Sequence, residues 1–110
     1  MCAGAFAAMV AVAITSGQAR AQNVGDADAG RRLATGWCSN CHQVDPGARG
    51  RASDAIPSFA SIAERSSTTA MSILAFLRTS HRTMPNFNLT DTQIDDIAAY
   101  ILSLRNARSP

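Results

Sequence analysis

The sequence predicts an all-α domain of about four helices. Apolar residues recur at spacings of three and four in four separate segments, which is the period of an amphipathic helix. No segment alternates apolar and polar residues with the period of two that a half-buried strand would need. Residues that cap helices precede the segments, and turn-forming residues separate them. With 110 residues and no internal repeat, the chain has room for one such domain.

The first 21 residues are interpreted as a secretory signal peptide. Residues 3–14 (AGAFAAMVAVAI) form an uncharged run, and the ARA at residues 19–21 has the pattern of a cleavage site. A helix that spans a bilayer needs about 20 apolar residues, so this run is too short. Cleavage would leave a domain of residues 22–110. Because no Lys or Arg precedes the apolar run, the alternative is a segment that stays attached as a weak anchor.

The first two predicted helices are separated by a loop. The first runs from Asp26, which can cap it, to about Cys38. Its apolar side consists of Ala29, Leu33, Ala34 and Trp37. Residues 43–57 are dense in turn-forming residues and are predicted to be a loop. A short second helix is then expected at residues 58–65, with its apolar residues on one side.

The third helix is expected to be capped by Ser67 or Thr68 and to end near Thr79. Its buried side is expected to consist of Met71, Leu74, Ala75 and Leu77, widened by Ile73 and Phe76. Residues 81–88 (HRTMPNFN) then form a loop. The reason is that Pro85 lacks a backbone donor and disfavours a helical conformation in the residue before it.

The fourth helix begins with a capping box, in which the side chains of Thr90 and Gln93 each satisfy a backbone N–H of the other residue. Aspartates follow in the first turns, and arginines lie near the C-terminal end, as the helix dipole favours. The apolar stripe behind the capping box consists of Ile94, Ile97, Ala98, Ile101 and Leu102. This is the clearest helical pattern in the chain.

The stretch WCSNCH at residues 37–42 carries the chemistry of the chain. A dithiol redox site would be expected beside a β-α-β pattern, and a structural zinc site would need more ligands than His81 can add. The pattern C-x-x-C-H in an exported chain is instead typical of covalent haem attachment. Residues i and i+3 of a helical turn project to the same side. Cys38 and Cys41 can therefore both form thioethers with the haem vinyl groups, and His42 can bind the iron.

The second axial position of the iron has several candidates. Met84 is preferred, because Pro85 stiffens the loop that holds its thioether. His81 is the rival, and its alternative interpretation is a solvated loop residue. Met71 is interpreted as core filler on the third helix. A chain that used none of them would keep an open iron site for a gas or a peroxide.

These features together resemble the small class I cytochromes c of bacteria over residues 25–105. The matching pieces are GDADAGRRLATGWCSNCH, IPSF, MPNF and IDDIAAYILSL. The resemblance implies a cytochrome c-like fold of about four helices wrapped around one covalently bound haem c. It also implies that the first and last helices cross at Gly30, with Ile97 and Tyr100 on the facing side. Ala34 stands where the family usually has a bulkier residue.

The resemblance further implies which residues surround the haem. The Nδ1–H of His42 is expected to donate a hydrogen bond to a proline carbonyl, best matched by Pro57 and less well by Pro46. Arg49 and Arg51 are candidates to bind a haem propionate, with solvated loop residues as the alternative interpretation. The residues expected to form the haem wall are Ile56, Phe59, Leu74, Leu77 and Phe87.

The function expected from these features is that of a soluble periplasmic carrier of single electrons. Ligation by His42 and Met84 in an apolar shell raises the reduction potential. Two strong ligands leave no free iron site, so no enzyme activity is expected. The expected partners of this monomer are a redox donor and a redox acceptor, with transient contact with membrane-bound complexes.

Two other functions stay open at this point. One is a haem-c subunit of a dehydrogenase or oxidase complex, and the other is a five-coordinate, ligand-binding haem protein. Nucleic-acid binding is not favoured, because the ten basic residues, all arginine, are balanced by eight acidic ones and form no cluster.

Overall fold

The computed structural model describes residues 25–47, 53 and 55–106. In these residues the regular secondary structure consists of four α-helices and no strand, which confirms the predicted all-α fold. The helices are α1 (Ala27–Trp37), α2 (Phe59–Glu64), α3 (Ala70–Arg78) and α4 (Asp91–Ser103). Within this part of the chain, no helix combines the length and the apolar character needed to cross a membrane. The predicted signal peptide, residues 1–21, lies outside the described residues.

The predicted side chains cap α1 and α4. The carboxylate of Asp26 accepts hydrogen bonds from the backbone N–H groups of Asp28 and Ala29, at 2.9 and 3.1 Å. In α4 the N–H of Gln93 donates to Thr90 Oγ1 at 3.2 Å, and the N–H of Thr90 donates to Gln93 Oε1 at 2.9 Å. These bonds satisfy backbone donors that have no partner inside the helix.

The predicted cap of α3, Ser67 or Thr68, is wrong. The helix is capped by Thr69, whose hydroxyl accepts a hydrogen bond from the N–H of Ser72 at 3.1 Å, while Ser72 Oγ accepts from the N–H of Thr69 at 2.9 Å. Thr68 is buried, and its hydroxyl donates to the carbonyl oxygen of Ile62 at 2.6 Å. The sequence offers several consecutive hydroxyl residues here, and the contact with α2 decides which of them caps α3.

α1 and α4 cross in direct backbone contact, as predicted at Gly30. A Cβ atom on Gly30 would lie 1.9 Å from the carbonyl oxygen of Asp96, and one on Gly25 would lie 2.0 Å from that of Asp95. Neither position can therefore carry a side chain without moving a helix. The N–H of Asp26 also donates to Asp96 Oδ1 at 2.8 Å, which adds a hydrogen bond to the crossing.

The hydrophobic core lies along α4. The buried residues of this helix are Ile94, Ile97, Ala98, Ala99, Tyr100 and Ile101. One cluster joins the helix to Ala34 of α1, Phe59 and Ala63 of α2, and Ile73 of α3. The predicted stripe is confirmed except at Leu102, which is only half-buried. Ala34 is fully buried, so its small side chain suits the close approach of the two helices.

A polar network joins α1 and α4 to the loop that follows the C-x-x-C-H motif. The hydroxyl of Tyr100 lies 3.0 Å from the carbonyl oxygen of Val44 and 2.7 Å from Asp45 Oδ1. Arg31 Nε donates to the same carboxylate oxygen at 2.9 Å. Hydrogen bonds from Arg31 and then from Tyr100 hold the pKa of Asp45 below its ordinary value. Burial, with the hydrogen bond to Asp45, raises the pKa of Tyr100 to about 12.

The predicted buried side of α3 is partly wrong. Ile73 is its buried residue, whereas Met71 is 71% exposed, Phe76 is 47% exposed, and Ala75 is also exposed. Met71 is therefore not core filler. Since α3 is apolar almost all the way round, its sequence does not select one buried side, and packing against α4 makes that choice.

Candidate functional site

Residues 38–42 form one helical turn that continues from the end of α1. The carbonyl oxygen of Cys38 accepts hydrogen bonds from the N–H groups of Cys41 and His42, at 3.2 and 2.8 Å. The N–H of Cys38 donates to the carbonyl oxygen of Ala34 at 2.8 Å, which anchors this motif turn on α1. Because residues three apart on a helical turn project to the same side, a single turn presents both thiols and the adjacent imidazole.

The two motif cysteines have different surroundings. Cys38 is half-buried and Cys41 is exposed. Burial raises the pKa of the Cys38 thiol to about 11, so this thiol is protonated at neutral pH. A dithiol redox site needs the opposite, since its attacking cysteine has a lowered pKa. The surroundings of Cys38 therefore do not favour the dithiol interpretation of the motif.

The imidazole of His42 is oriented by a backbone carbonyl. Its Nδ1 lies 2.7 Å from the carbonyl oxygen of Pro57, and since a carbonyl only accepts, Nδ1 carries the proton. This tautomer leaves the lone pair on Nε2. The acceptor is the proline expected from the sequence rather than Pro46. The N–H of Phe59 donates to the carbonyl oxygen of Gln43 at 3.0 Å, which ties the Pro57 segment to the residue after the histidine.

The side chains predicted to form the haem wall have graded burial. Phe59 is buried, Ile56, Leu74 and Leu77 are half-buried, and Phe87 is 40% exposed. The ring of Phe59 lies 5.6 Å from that of His42, tilted by 55°. Leu77 and Phe87 of this set also line a small pocket. Its lining includes Leu77, His81, Met84, Pro85 and Phe87.

The two rival ligands, Met84 and His81, both line that pocket. Of the two, His81 makes a ring contact and a hydrogen bond with Phe76. The ring of His81 stacks on Phe76 with centroids 3.8 Å apart and planes 16° apart. His81 Nε2 also lies 3.0 Å from the carbonyl oxygen of Phe76, so Nε2 carries a proton that it donates to this oxygen. Met84 is half-buried, and its thioether needs no hydrogen bond.

Sequence reasoning missed the ring contacts of this region. Trp37 and Phe87 are stacked, with centroids 6.3 Å apart and planes 7° apart, although the chain separates them by 50 positions. Phe59 also contacts Tyr100, at 6.3 Å. The sequence offered one signal, the small number of aromatic residues: only five follow residue 22, and all five contact another ring.

Arg49 and Arg51, expected near a propionate, lie outside the described residues.

The donors present suit a haem c. The motif turn provides two thiols for thioether bonds, His42 provides an imidazole with its lone pair on Nε2, and Met84 provides a thioether from another part of the chain. Leu77 is half-buried and lines the pocket that also contains Met84. Imidazole and thioether are the axial pair that haem iron has in electron-transfer cytochromes.

Comparison with known proteins gives the family. Residues 25–101 match the model of a family described as cytochrome c oxidase, cbb3-type, subunit III. The chain is also similar to a protein named cytochrome c-552 from Bradyrhizobium diazoefficiens, with 43% identity over 97 residues that cover 88% of this chain and 89% of that protein. No solved structure matches the chain significantly. The chain therefore belongs to this family of c-type cytochromes, as a small monohaem member that carries haem c on Cys38 and Cys41.

Proposed function

We propose that this chain is a soluble periplasmic electron carrier whose haem iron is bound by His42 and Met84. When bound, the haem supplies a one-electron couple between ferrous and ferric iron. His42 and Met84 would supply its side-chain ligands from apolar surroundings, which would disfavour the extra charge of ferric iron and raise the reduction potential. With both ligands bound, no position at the iron would be left for a substrate, and the proposal includes no enzyme activity.

The hydrogen bond between His42 and Pro57 is the observation that carries this proposal. A histidine that binds a metal usually donates its other ring N–H to a carbonyl or a carboxylate, which fixes the tautomer and raises the basicity of the ligating nitrogen. At 2.7 Å this bond leaves Nε2 of His42 as the donor atom. The adjacent motif turn, which carries both thiols, fixes the same residue from the other side.

The contacts of His81 support Met84 as the second axial ligand. To bind the iron through Nε2, His81 would lose both its hydrogen bond to the Phe76 carbonyl and its stack on the Phe76 ring. Met84 would lose no polar contact, since its thioether makes no hydrogen bond within the described residues. A thioether also favours ferrous iron more than an imidazole does, which suits a carrier of high potential.

The optical spectrum of the purified protein tests the proposal. We expect a low-spin spectrum in both oxidation states, a weak far-red sulfur-to-iron band in the ferric state, and haem that survives acid-acetone extraction. The ferrous protein should not bind carbon monoxide at neutral pH, because Met84 occupies the iron. A high-spin spectrum with rapid binding of carbon monoxide would identify a five-coordinate, ligand-binding protein instead.

Export has its own test. The proposal places the signal peptide at residues 1–21, so the mature protein from a periplasmic fraction should begin at Gln22. N-terminal sequencing or intact mass measures this directly. A full-length chain recovered with the membrane would show that the apolar segment is retained as an anchor.

A second candidate function is that of a haem-c subunit in an oxidase complex. The description of the matching family model favours it. Purification from native membranes distinguishes the two functions. A free carrier should leave with the soluble fraction, whereas a subunit should stay in stoichiometric amounts with a complex after mild detergent extraction.

A further inference from the structure

The loop that carries Met84 has little backbone support. Among the described residues, no backbone–backbone hydrogen bond joins residues 82–89 to the rest of the molecule. Within the loop the N–H of Asn88 donates to Asn86 Oδ1 at 3.0 Å, and Asn88 has a left-handed conformation with φ of 50°. These features shape the loop but do not attach it. Apart from Leu89, which packs against the core, the attachment falls to aromatic side chains.

The first aromatic contact lies on the N-terminal side of Met84. His81, three residues earlier, is fixed to the end of α3 by its stack on Phe76 and by its hydrogen bond to the Phe76 carbonyl. Two independent contacts with one residue define both the position and the orientation of the imidazole ring. This pair, the Phe76–His81 tether, ties the start of the loop to α3.

The second aromatic contact lies on the C-terminal side. Phe87, three residues after Met84, stacks on Trp37 with nearly parallel planes, at a centroid distance within the range of offset stacking. Trp37 is the last residue of α1 and directly precedes Cys38. The two rings are 38% and 40% exposed, so this contact lies at the surface rather than in the core. This pair, the Trp37–Phe87 tether, ties the loop to the helix that leads into the motif turn.

We propose that Trp37 and Phe76 are positioning residues, which hold the Met84 thioether at the haem iron through these two aromatic tethers. The inference rests on the proposed ligation by Met84 and adds the residues that maintain it. Met84 lies midway between the tethers, with two residues between it and His81 and two between it and Phe87. Without the Trp37–Phe87 tether, the next attached residue after His81 is Leu89. The untethered segment around Met84 then becomes longer, which lets the thioether leave the iron more often.

The test measures how often Met84 leaves the iron in Trp37→Leu and in Phe87→Leu, which remove the same stack from opposite sides. The readout is the rate at which the ferrous protein binds carbon monoxide, alongside the ferric far-red band. We expect each variant to bind carbon monoxide about 2- to 10-fold faster than the wild type, the factor that corresponds to loss of one stacked aromatic pair. Phe76→Leu should act in the same direction.

Two control variants separate positioning from general loosening. Trp37→Phe keeps a ring at the stack and should restore the wild-type rate. Met71→Ala removes an apolar side chain of α3 that is 71% exposed, so it should change nothing. Since Trp37 adjoins Cys38, haem content is measured for every variant, and Phe87→Leu tests the tether even if Trp37→Leu fails to mature.

The outcomes distinguish this inference from the proposed function. If the wild type shows the sulfur-to-iron band but Phe87→Leu and Trp37→Leu bind carbon monoxide at the wild-type rate, the tethers are overturned and Met84 ligation stands. The tethers also fail if Trp37→Phe is as fast as Trp37→Leu. If the wild type lacks the band and Met84→Ala leaves its spectrum unchanged, the ligation by Met84 is overturned together with the inference.

Discussion

The α1–α4 crossing and the Met84 loop hold the site in different ways. At the crossing, the backbone of α4 is in contact with Gly30 of α1 and with Gly25 just before α1, and most of the apolar stripe of α4 is buried. The loop at residues 82–89 has no backbone hydrogen bond to the rest of the described chain and is held by surface rings and by Leu89. The side of the site that carries the covalent bonds is therefore the rigid one. Met84, the proposed second ligand of the iron, lies on the side with fewer contacts to the rest of the described chain.

The largest effect is expected from variants that remove the covalent attachment of the haem. Replacement of both Cys38 and Cys41 by serine should abolish covalent haem and leave little folded protein, because a domain of this size depends on its cofactor for much of its core. Acid-acetone extraction and far-UV circular dichroism measure the two effects. Cys2→Ser is the matched control and should mature normally, since Cys2 lies in the predicted signal peptide. Haem that resists extraction in the double variant would refute this account of attachment.

The next effect tests the backbone contact at the crossing. Gly30→Ala should lower the free energy of unfolding by about 3 kcal/mol, because the new Cβ would overlap the carbonyl oxygen of Asp96 and force the helices apart. Gly36→Ala is the control within the same helix, since nothing lies within 4 Å of its Cβ position. That variant should raise the free energy of unfolding by about 0.5–1 kcal/mol. Denaturant unfolding measures both, and equal effects would contradict the crossing.

The structure around the α1–α4 crossing could be predicted from the sequence, because it follows from interactions between residues that are close in the chain. The Asp26 cap, the Thr90–Gln93 capping box, the α4 stripe and the glycine of the crossing each follow from a few neighbouring residues or from the family pattern. The motif turn follows from five consecutive residues. On this side, short-range preference and tertiary packing select the same structure.

The other side could not be predicted as well, because its contacts are not local. α3 is apolar nearly all round, so its composition could not show that Ile73 is buried and Met71 exposed. Thr69 caps α3, while the hydroxyl of Thr68 is hydrogen-bonded to Ile62 of α2. The Trp37–Phe87 stack joins residues 50 positions apart, and no spacing rule indicates such a pair.

A smaller effect concerns the polar network that joins α1 and α4 to the loop after the C-x-x-C-H motif. The folded pKa of Asp45 lies below its ordinary value of 3.8. The carboxylate therefore stabilises the fold above that value, and the stabilisation is lost as the pH falls through the folded pKa. Asp45→Asn should cost less than about 1 kcal/mol at neutral pH, because the ion pair with Arg31 is partly exposed.

The pH dependence of unfolding checks this prediction. The difference between Asp45→Asn and the wild type should be largest at neutral pH and should shrink as the pH falls below the pKa of the folded carboxylate. Asp91→Asn is the control, since the side chain of Asp91 is 75% exposed against 33% for that of Asp45, and its effect should be smaller. A difference for Asp45→Asn that grows in acid would show that the carboxylate does not stabilise the fold.

The smallest effect is the salt dependence of electron transfer. Arg31 and Arg78 are each paired with an aspartate, which leaves Arg32 and Arg82 as the unpaired arginines beside α1 and the Met84 loop in the described chain. The formal net charge of the chain is only +2, so whole-molecule steering should be weak. Transfer to a redox partner should slow by about two- to threefold from low to physiological ionic strength, against tenfold or more for a steered encounter. Stopped-flow kinetics measures this dependence. If the transfer rate falls steeply with ionic strength, and Arg32→Gln or Arg82→Gln makes the fall smaller, a local arginine patch guides the encounter.

The reduction potential of two single variants tests ligation by Met84 most directly. We predict that Met84→Ala lowers the potential substantially and loses the ferric far-red band, because the soft thioether that favours ferrous iron is gone. His81→Ala should leave the potential and the spectrum nearly unchanged at neutral pH, because its imidazole is engaged by Phe76. The opposite result, a shifted potential in His81→Ala and an unshifted one in Met84→Ala, would mean that two histidines bind the iron, and it would contradict the account of a high-potential carrier.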